Sequence, residues 1–280
     1  MPPTEQRPLY LCAGLQSSGS TLVSWCFLQH PGLNGILDAR FDALPQLPAQ
    51  LATKGAASGD APTTQDGVWC KFTIACFRIL DVQQHFADDS WDVRPLLVVR
   101  DVRAVFDSLI TKEYGRNGTT ADDPPLRLRI RRFIRDFELF HRNHWPILIF
   151  EQLLASPEAE LRRVASALGL PFSPDMLSWP KTPNQIADCA HGNETFLSTR
   201  GPDLQSSIHP APLSLKHTCQ DDLDWLEEEC AQLNLFCGYP ANVRLDLPPG
   251  RAVPTFEHTR RYERYQRHNR FSNLFKGIFG

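Results

Sequence analysis

Gly14 and Gly19 sit where an apolar run gives way to a helix-forming one. Leu9-Tyr-Leu-Cys-Ala13 leads into Gly14-Leu-Gln16-Ser17-Ser18-Gly19-Ser20-Thr21. A buried strand, a glycine loop and a helix in that order leave few folds open. The glycines let the backbone turn tightly and approach an anion closely. The amides of Ser18 to Thr21 then face that anion from a helix N-terminus, where the peptide dipoles favour negative charge. Ser17, Ser18, Ser20 and Thr21 add hydroxyl donors. The spacing is that of the phosphate-binding loop G-x-x-x-x-G-K-[ST], but Ser20 stands where that loop has its lysine. This points away from ATP and GTP, toward a nucleotide with another anionic layout. The alternative is a plain strand-to-helix turn of small residues.

The rest of the chain repeats the strand–helix alternation. Strands are expected at 9–13, from Val68 to Ile74, at 95–100 and at 146–150. Pro95-Leu-Leu-Val-Val-Arg100 is the clearest, a continuous apolar run of the kind expected where helices cover both faces of a sheet. Helices are expected from Ser20 to Gln29, at 102–112 with Asp101 as N-cap, at 125–144, from Pro157 to Leu168 and at 221–235. A short helix and turn is expected at 83–91. Segments 42–67 and 175–218 read as irregular. Such alternation with short links predicts an α/β fold with a central parallel sheet flanked by helices and wound by right-handed crossovers. The 280 residues fit one such domain over 1–240, followed by a proline-rich, then basic and aromatic extension over 241–280.

Ligands of open parallel sheets bind beyond the carboxyl ends of the strands. Besides the 14–21 loop, Arg100 falls at such an end. In Arg100-Asp-Val-Arg103-Ala-Val-Phe-Asp-Ser108, two helical turns bring Ser108 onto the face of Asp101 and Ala104. An arginine fork and a hydroxyl there can clamp a second phosphate. The alternative is that Arg100 pairs with a local carboxylate and Ser108 is a neutral helix residue.

Taken together, these segments resemble the sulfotransferases that use 3′-phosphoadenosine 5′-phosphosulfate (PAPS), a family with a P-loop NTPase-like fold. Their 5′-phosphosulfate loop, G-x-P-[KR]-S-G-[ST]-T, is similar to residues 14–21 except at Gln16 and Ser17. Their 3′-phosphate motif, R-[DN]-P-[RK]-x-x-x-x-S, is similar to Arg100–Ser108 with Val102 in place of proline. A third block, Ile147-Leu-Ile-Phe150-Glu151-Gln-Leu-Leu with Leu161 to Pro171, is similar to the family's Y-E-D-L turn and L-G-L-P helix end. The resemblance spans roughly 8–240 and keeps the family's order. It implies in-line transfer of a sulfuryl group from PAPS to an acceptor hydroxyl or amine, leaving 3′-phosphoadenosine 5′-phosphate (PAP), with no metal. Gln16, Ser17, Ser18, Gly19, Ser20, Thr21, Arg100 and Ser108 become cofactor-binding residues. So does Arg200, whose Arg200-Gly201 pair is similar to the family's late basic segment at the 3′-phosphate.

Two departures matter for catalysis. The family's loop cation, which assists the leaving oxygen, falls at Ser17. Lys71 is the first candidate to replace it, because some members carry a lysine there; the alternative is a strand-edge lysine in solvent. Arg103, Lys112 and Arg200 come next. The base is expected at Asp38, flanked by apolar residues soon after the first helix, where members acting on polysaccharide place a carboxylate. Asp42, His30 and His85 follow, and a surface pair between Asp38 and Arg40 is the bland alternative. Phe150 replaces a common tyrosine. Trp25 reads as core rather than as an adenine platform. The arginines at 127, 129, 131, 132 and 135 read as a solvated helix face or as the border of an acceptor site.

Composition narrows the classes. A net charge of −3 gives no global case for nucleic acid or membrane, and no apolar run approaches the length of a membrane span. The polar N-terminal residues do not read as a secretory signal. The eight cysteines form no C-x-x-C pair, and Cys12, Cys26, Cys70 and Cys76 lie in apolar runs. Free buried thiols in a reducing cytoplasm are therefore expected. The acceptor is expected to be a small molecule, glycan or lipid, bounded by segments 34–66, 112–128 and 185–218. Two further classes stay open: a degenerate protein that binds PAPS or PAP without chemistry, and a phosphoryl-transfer enzyme with an altered loop.

Overall fold

The computed structural model describes residues 6–36, 67–74, 78–86, 90–111, 126–178, 204 and 211–253. The chain divides into two compact units, Met1–Arg100 with Asp136–Pro212, and Asp101–Arg135 with Leu213–Gly280.

The first unit holds a five-stranded sheet. Its strands are β1 (Arg7–Gly14), β2 (Leu33–Ile36), β3 (Gly67–Thr73), β4 (Trp91–Val99) and β5 (Ile147–Ile149). Their order is β2-β3-β1-β4-β5, and each neighbouring pair is parallel. The fold class read from the sequence is therefore observed. β1 is bonded on both edges, and Leu9, Leu11, Cys12 and Ala13 are wholly buried. A strand covered on both faces needs no polar alternation, which explains its continuous apolar run.

Register sorts the side chains. Cys12 aligns with Lys71 on β3 and with Leu96 on β4, so these three share a face with Tyr10, Trp69 and Val98. Helix α1 (Ser20–Phe27) lies on that face, with Phe27 stacked on Trp69 at a centroid distance of 4.5 Å. Helices α5 (Phe150–Ala155) and α6 (Pro157–Ala167) add Leu153, Leu161 and Val164 to the same core. Trp25 is buried, in line with its reading as core. The edge strand β5 is blunted by α6. The Ile149 amide donates to Glu160 Oε1 at 3.1 Å, and Arg163 Nη2 donates to the Ile147 carbonyl. These side chains occupy ladder positions that would otherwise invite another strand.

Several elements depart from the sequence reading. β2 has only four residues and contains Asn34-Gly35, so it carries no strand signature. A Cβ on Gly35 would fall 1.8 Å from the Trp69 carbonyl oxygen, so glycine is what lets β2 pair there. The helix expected at 83–91 is instead α2 (Ile79–Gln83), continued by a 3-10 turn to Phe86. The Arg78 amide donates to Asp81 at 2.9 Å and fixes the earlier start. Trp91 then opens β4 opposite Arg7.

In the second unit, α3 (Val102–Ile110) is capped by Asp101, which accepts from the Arg103 amide at 3.0 Å. The helix expected at 125–144 is α4 (Leu126–Arg142), whose residues up to Arg135 belong to this unit. Of its arginines at 127, 129, 131, 132 and 135, only Arg135 is exposed. Arg127 pairs with Asp222 at 2.7 Å and Arg131 with Glu229 at 3.0 Å, and both guanidinium groups lie over Trp225. Arg127 and Arg129 are buried. The single helix expected at 221–235 is two, α7 (Gln220–Glu229) and α8 (Ala231–Cys237), parted at the buried Cys230. Beyond them, Asn242 donates to Glu227 and Ala252 to Asp222, which ties the chain to α7. Among the described residues no helix is long and apolar enough to cross a membrane.

Candidate active site

Because the strands are parallel, Gly14, Thr73, Val99 and Ile149 end on one edge of the sheet. The loop after β1 turns there. The Ser18 amide donates to the Leu15 carbonyl at 3.2 Å, and the Ile74 amide donates to Gly14, tying the loop to the end of β3. Ser17 has φ 66° and Gly19 has φ 85°, both left-handed. Gly19 stands at the N-cap of α1, and no side chain caps the helix. Its first-turn amides, with the favourable end of the dipole, are thus left to whatever the loop holds. The Ser18 hydroxyl is buried and has no hydrogen-bond partner, and neither has Gln16 Oε1. A buried hydroxyl donor without a partner is costly unless a ligand supplies the acceptor. Uncapped amides and the Ser18 hydroxyl therefore fit an anion of the phosphosulfate kind.

Two cations flank this loop from the neighbouring strands. Lys71 on β3 is not the solvent lysine of the bland reading. It is 4% exposed, and its Nζ donates to Thr73 Oγ1 at 3.4 Å, toward the carboxyl end of the strand. It shares the face of Cys12. Burial drives the Cys12 thiol up to about 12, against the opposing pull of the Ser24 hydrogen bond and the Lys71 charge, so this thiol stays protonated. On the other side Arg100 follows β4. Its Nη1 donates to the Ser17 carbonyl at 3.0 Å, and its guanidinium lies 5.4 Å from the centre of the Phe150 ring. A Cβ on Gly19 would fall 2.2 Å from that ring. Loop, Arg100 and Phe150 thus form one packed group.

The structure brings together Gln16, Ser17, Ser18, Gly19, Ser20, Thr21, Lys71 and Arg100 from the sequence reading. Ser108 lies on α3 in the second unit; it and Ala104 are the half-exposed positions of an otherwise buried helix. Asp38, Asp42, Lys112 and Arg200 lie outside the described residues. Arg103 is taken out of contention. It is 1% exposed and donates to Asp101, Glu227 and the Pro240 carbonyl. Burial alone would lower its pKa, but Asp101 and Glu227 outweigh burial and raise it. His30 is buried just before β2, on the opposite edge of the sheet from the loop, and its Nδ1 accepts from the Gly32 amide at 3.0 Å. Burial lowers its pKa against weaker opposing effects of the Pro171 backbone and Asp175. The sequence singled out Phe150 for its place in the third block, but its packing against Gly19 and Arg100 had no local signal, because these residues meet only through the fold. No group of three metal-ligating side chains occurs among the described residues.

The fold has solved counterparts. The sulfotransferase domain from the Synechococcus PCC 7002 olefin synthase superposes with a TM-score of 0.51 at 16% identity, over 86% of this chain and 98% of that one. The sulfotransferase domain from the curacin biosynthetic pathway gives a TM-score of 0.55 at 13% identity, over 85% and 100%. At these identities the likeness concerns the fold, and the fold is that of sulfotransferases. No family model and no curated protein matches the sequence.

Proposed function

We propose that the protein is a sulfotransferase that takes a sulfuryl group from PAPS and passes it to a hydroxyl or amine acceptor. The observation that carries this reading is the loop. In a sulfotransferase fold, it presents uncapped helix amides and the buried, unpartnered hydroxyl of Ser18, with Arg100 beside them. PAPS brings the activated sulfuryl group and departs as PAP. In this reading Gln16 to Thr21 hold the 5′-phosphosulfate. The resemblance assigns Arg100, Ser108 and Arg200 to the 3′-phosphate. Lys71 stabilises charge on the leaving oxygen from a buried strand position, where a fixed cation acts more strongly than in water. Asp38 takes the acceptor proton. The acceptor is a small molecule, glycan or lipid. Among the described residues Cys12, Cys26, Cys70 and Cys230 are fully buried, which fits a reducing, cytoplasmic setting.

Labelled sulfate should move from PAPS to an acceptor or, more slowly, to water. Ser17 favours a second reading, because a loop without its cation suits a protein that binds the nucleotide but has lost the chemistry. Binding of PAP with no release of sulfate would establish that second reading and remove the first.

A further inference from the structure

The loop has no charge at Ser17, yet a guanidinium stands against that residue. Arg100 reaches it from β4, with Nη1 3.0 Å from the Ser17 carbonyl. The Phe150 ring holds the guanidinium from another direction at 5.4 Å and is itself packed on Gly19. Arginine carries five N–H donors in a rigid fork, so one bond to Ser17 leaves others for an anion. In the order β3-β1-β4, Lys71 and Arg100 arise from the strands on either side of the loop.

We propose that Arg100 supplies the positive charge that the loop lacks at Ser17 and acts on the leaving phosphate oxygen, a role beyond gripping the 3′-phosphate. Phe150 and the Ser17 carbonyl are its positioning groups. The inference rests on the PAPS reading above. In the transfer, the bond from sulfur to the 5′-phosphate oxygen breaks and its electron pair stays on that oxygen. The acceptor oxygen or nitrogen bonds to sulfur, and its proton passes to a base. Arg100 and Lys71 together face the charge that grows on the phosphate. The cation has thus moved from the loop to its two flanking strands, while the charge at the leaving oxygen is kept.

A double-mutant cycle tests this, with acceptor-independent release of sulfate from PAPS as the readout. Arg100→Ala should slow release by about 100-fold at saturating PAPS. Ser17→Lys should restore about tenfold or more in the Arg100→Ala background, and the gain there should exceed its effect in the native background by about tenfold. The same loss should appear with adenosine 5′-phosphosulfate, which has no 3′-phosphate. Equal effects of Ser17→Lys in both backgrounds, or a loss confined to PAPS, overturn the proposal. If Arg100→Ala does not fold, Arg100→Gln, which keeps much of the side chain but removes the charge, enters the same cycle with the same criteria. Native protein that binds PAP but releases no sulfate also overturns it and leaves the nucleotide reading standing. Failure to bind PAP at all removes the reading on which the proposal rests.

Discussion

Gly19 is held to its identity twice over. Its φ of 85° is one that a side chain resists, and any Cβ would collide with Phe150 at 2.2 Å. Gly19→Ala should therefore destabilise the protein by about 1–3 kcal/mol in urea titrations and weaken PAP binding more than it weakens folding. A change confined to stability would separate Gly19 from the anion site. Asp136 makes a different kind of test. Its side chain is wholly buried, accepting from the Ile79 amide at 3.0 Å and from Arg78 Nε at 3.1 Å. Burial raises its pKa from 3.8 to about 6 despite those bonds. The folded state thus holds this proton more tightly than the unfolded state. The contribution of Asp136 is largest below 3.8 and is lost as pH rises through about 6. Asp136→Asn removes the titration, so the stability of the variant relative to the native chain should increase as pH rises across that window. A pH-independent difference in urea midpoints would show that the carboxyl does not titrate there. Of these residues only Gly19 was legible in the sequence. Phe150 and Asp136 take their roles from partners that are distant along the chain.

Elements whose signal is local were read correctly, and those set by tertiary contacts were not. β1 and β4 announce themselves because a doubly covered strand is apolar at every position. Asp101 announces α3 because a carboxylate before an apolar run satisfies first-turn amides. β2 is hidden, since its pairing depends on Gly35 lying against the Trp69 carbonyl. The break between α7 and α8 falls at Cys230, which carries no breaker signal. The arginines of α4 look solvated in sequence because Asp222 and Glu229 lie far along the chain. The start of α3 offers its own test. Arg103 is buried between Asp101 at 2.7 Å and Glu227 at 2.8 Å. Removing it strands both carboxylates, so Arg103→Ala should cost about 3–5 kcal/mol by chemical denaturation. A cost under about 1 kcal/mol, as for an exposed pair, would contradict the buried network.

At the scale of the molecule, the order β2-β3-β1-β4-β5 makes the glycine loop meaningful. It puts β1 at the centre of the sheet and sets Lys71 and Arg100 on the strands beside it. The alternation of strands and helices in the sequence was enough to reach the parallel sheet. The missing lysine at Ser20 was enough to turn the reading away from ATP. For the cation absent at Ser17 the sequence offered Lys71 but did not show Arg100 against that residue, because strand order brings the two together across 83 residues of chain. The proposed function requires this loop to hold an adenosine nucleotide bearing a 3′-phosphate. Calorimetric titration with PAP, with ATP and magnesium as the comparison, tests it most directly. A PAP dissociation constant in the low micromolar range or tighter, about −8 kcal/mol, is expected, with far weaker binding of ATP. Clear binding of ATP with magnesium and none of PAP would contradict it.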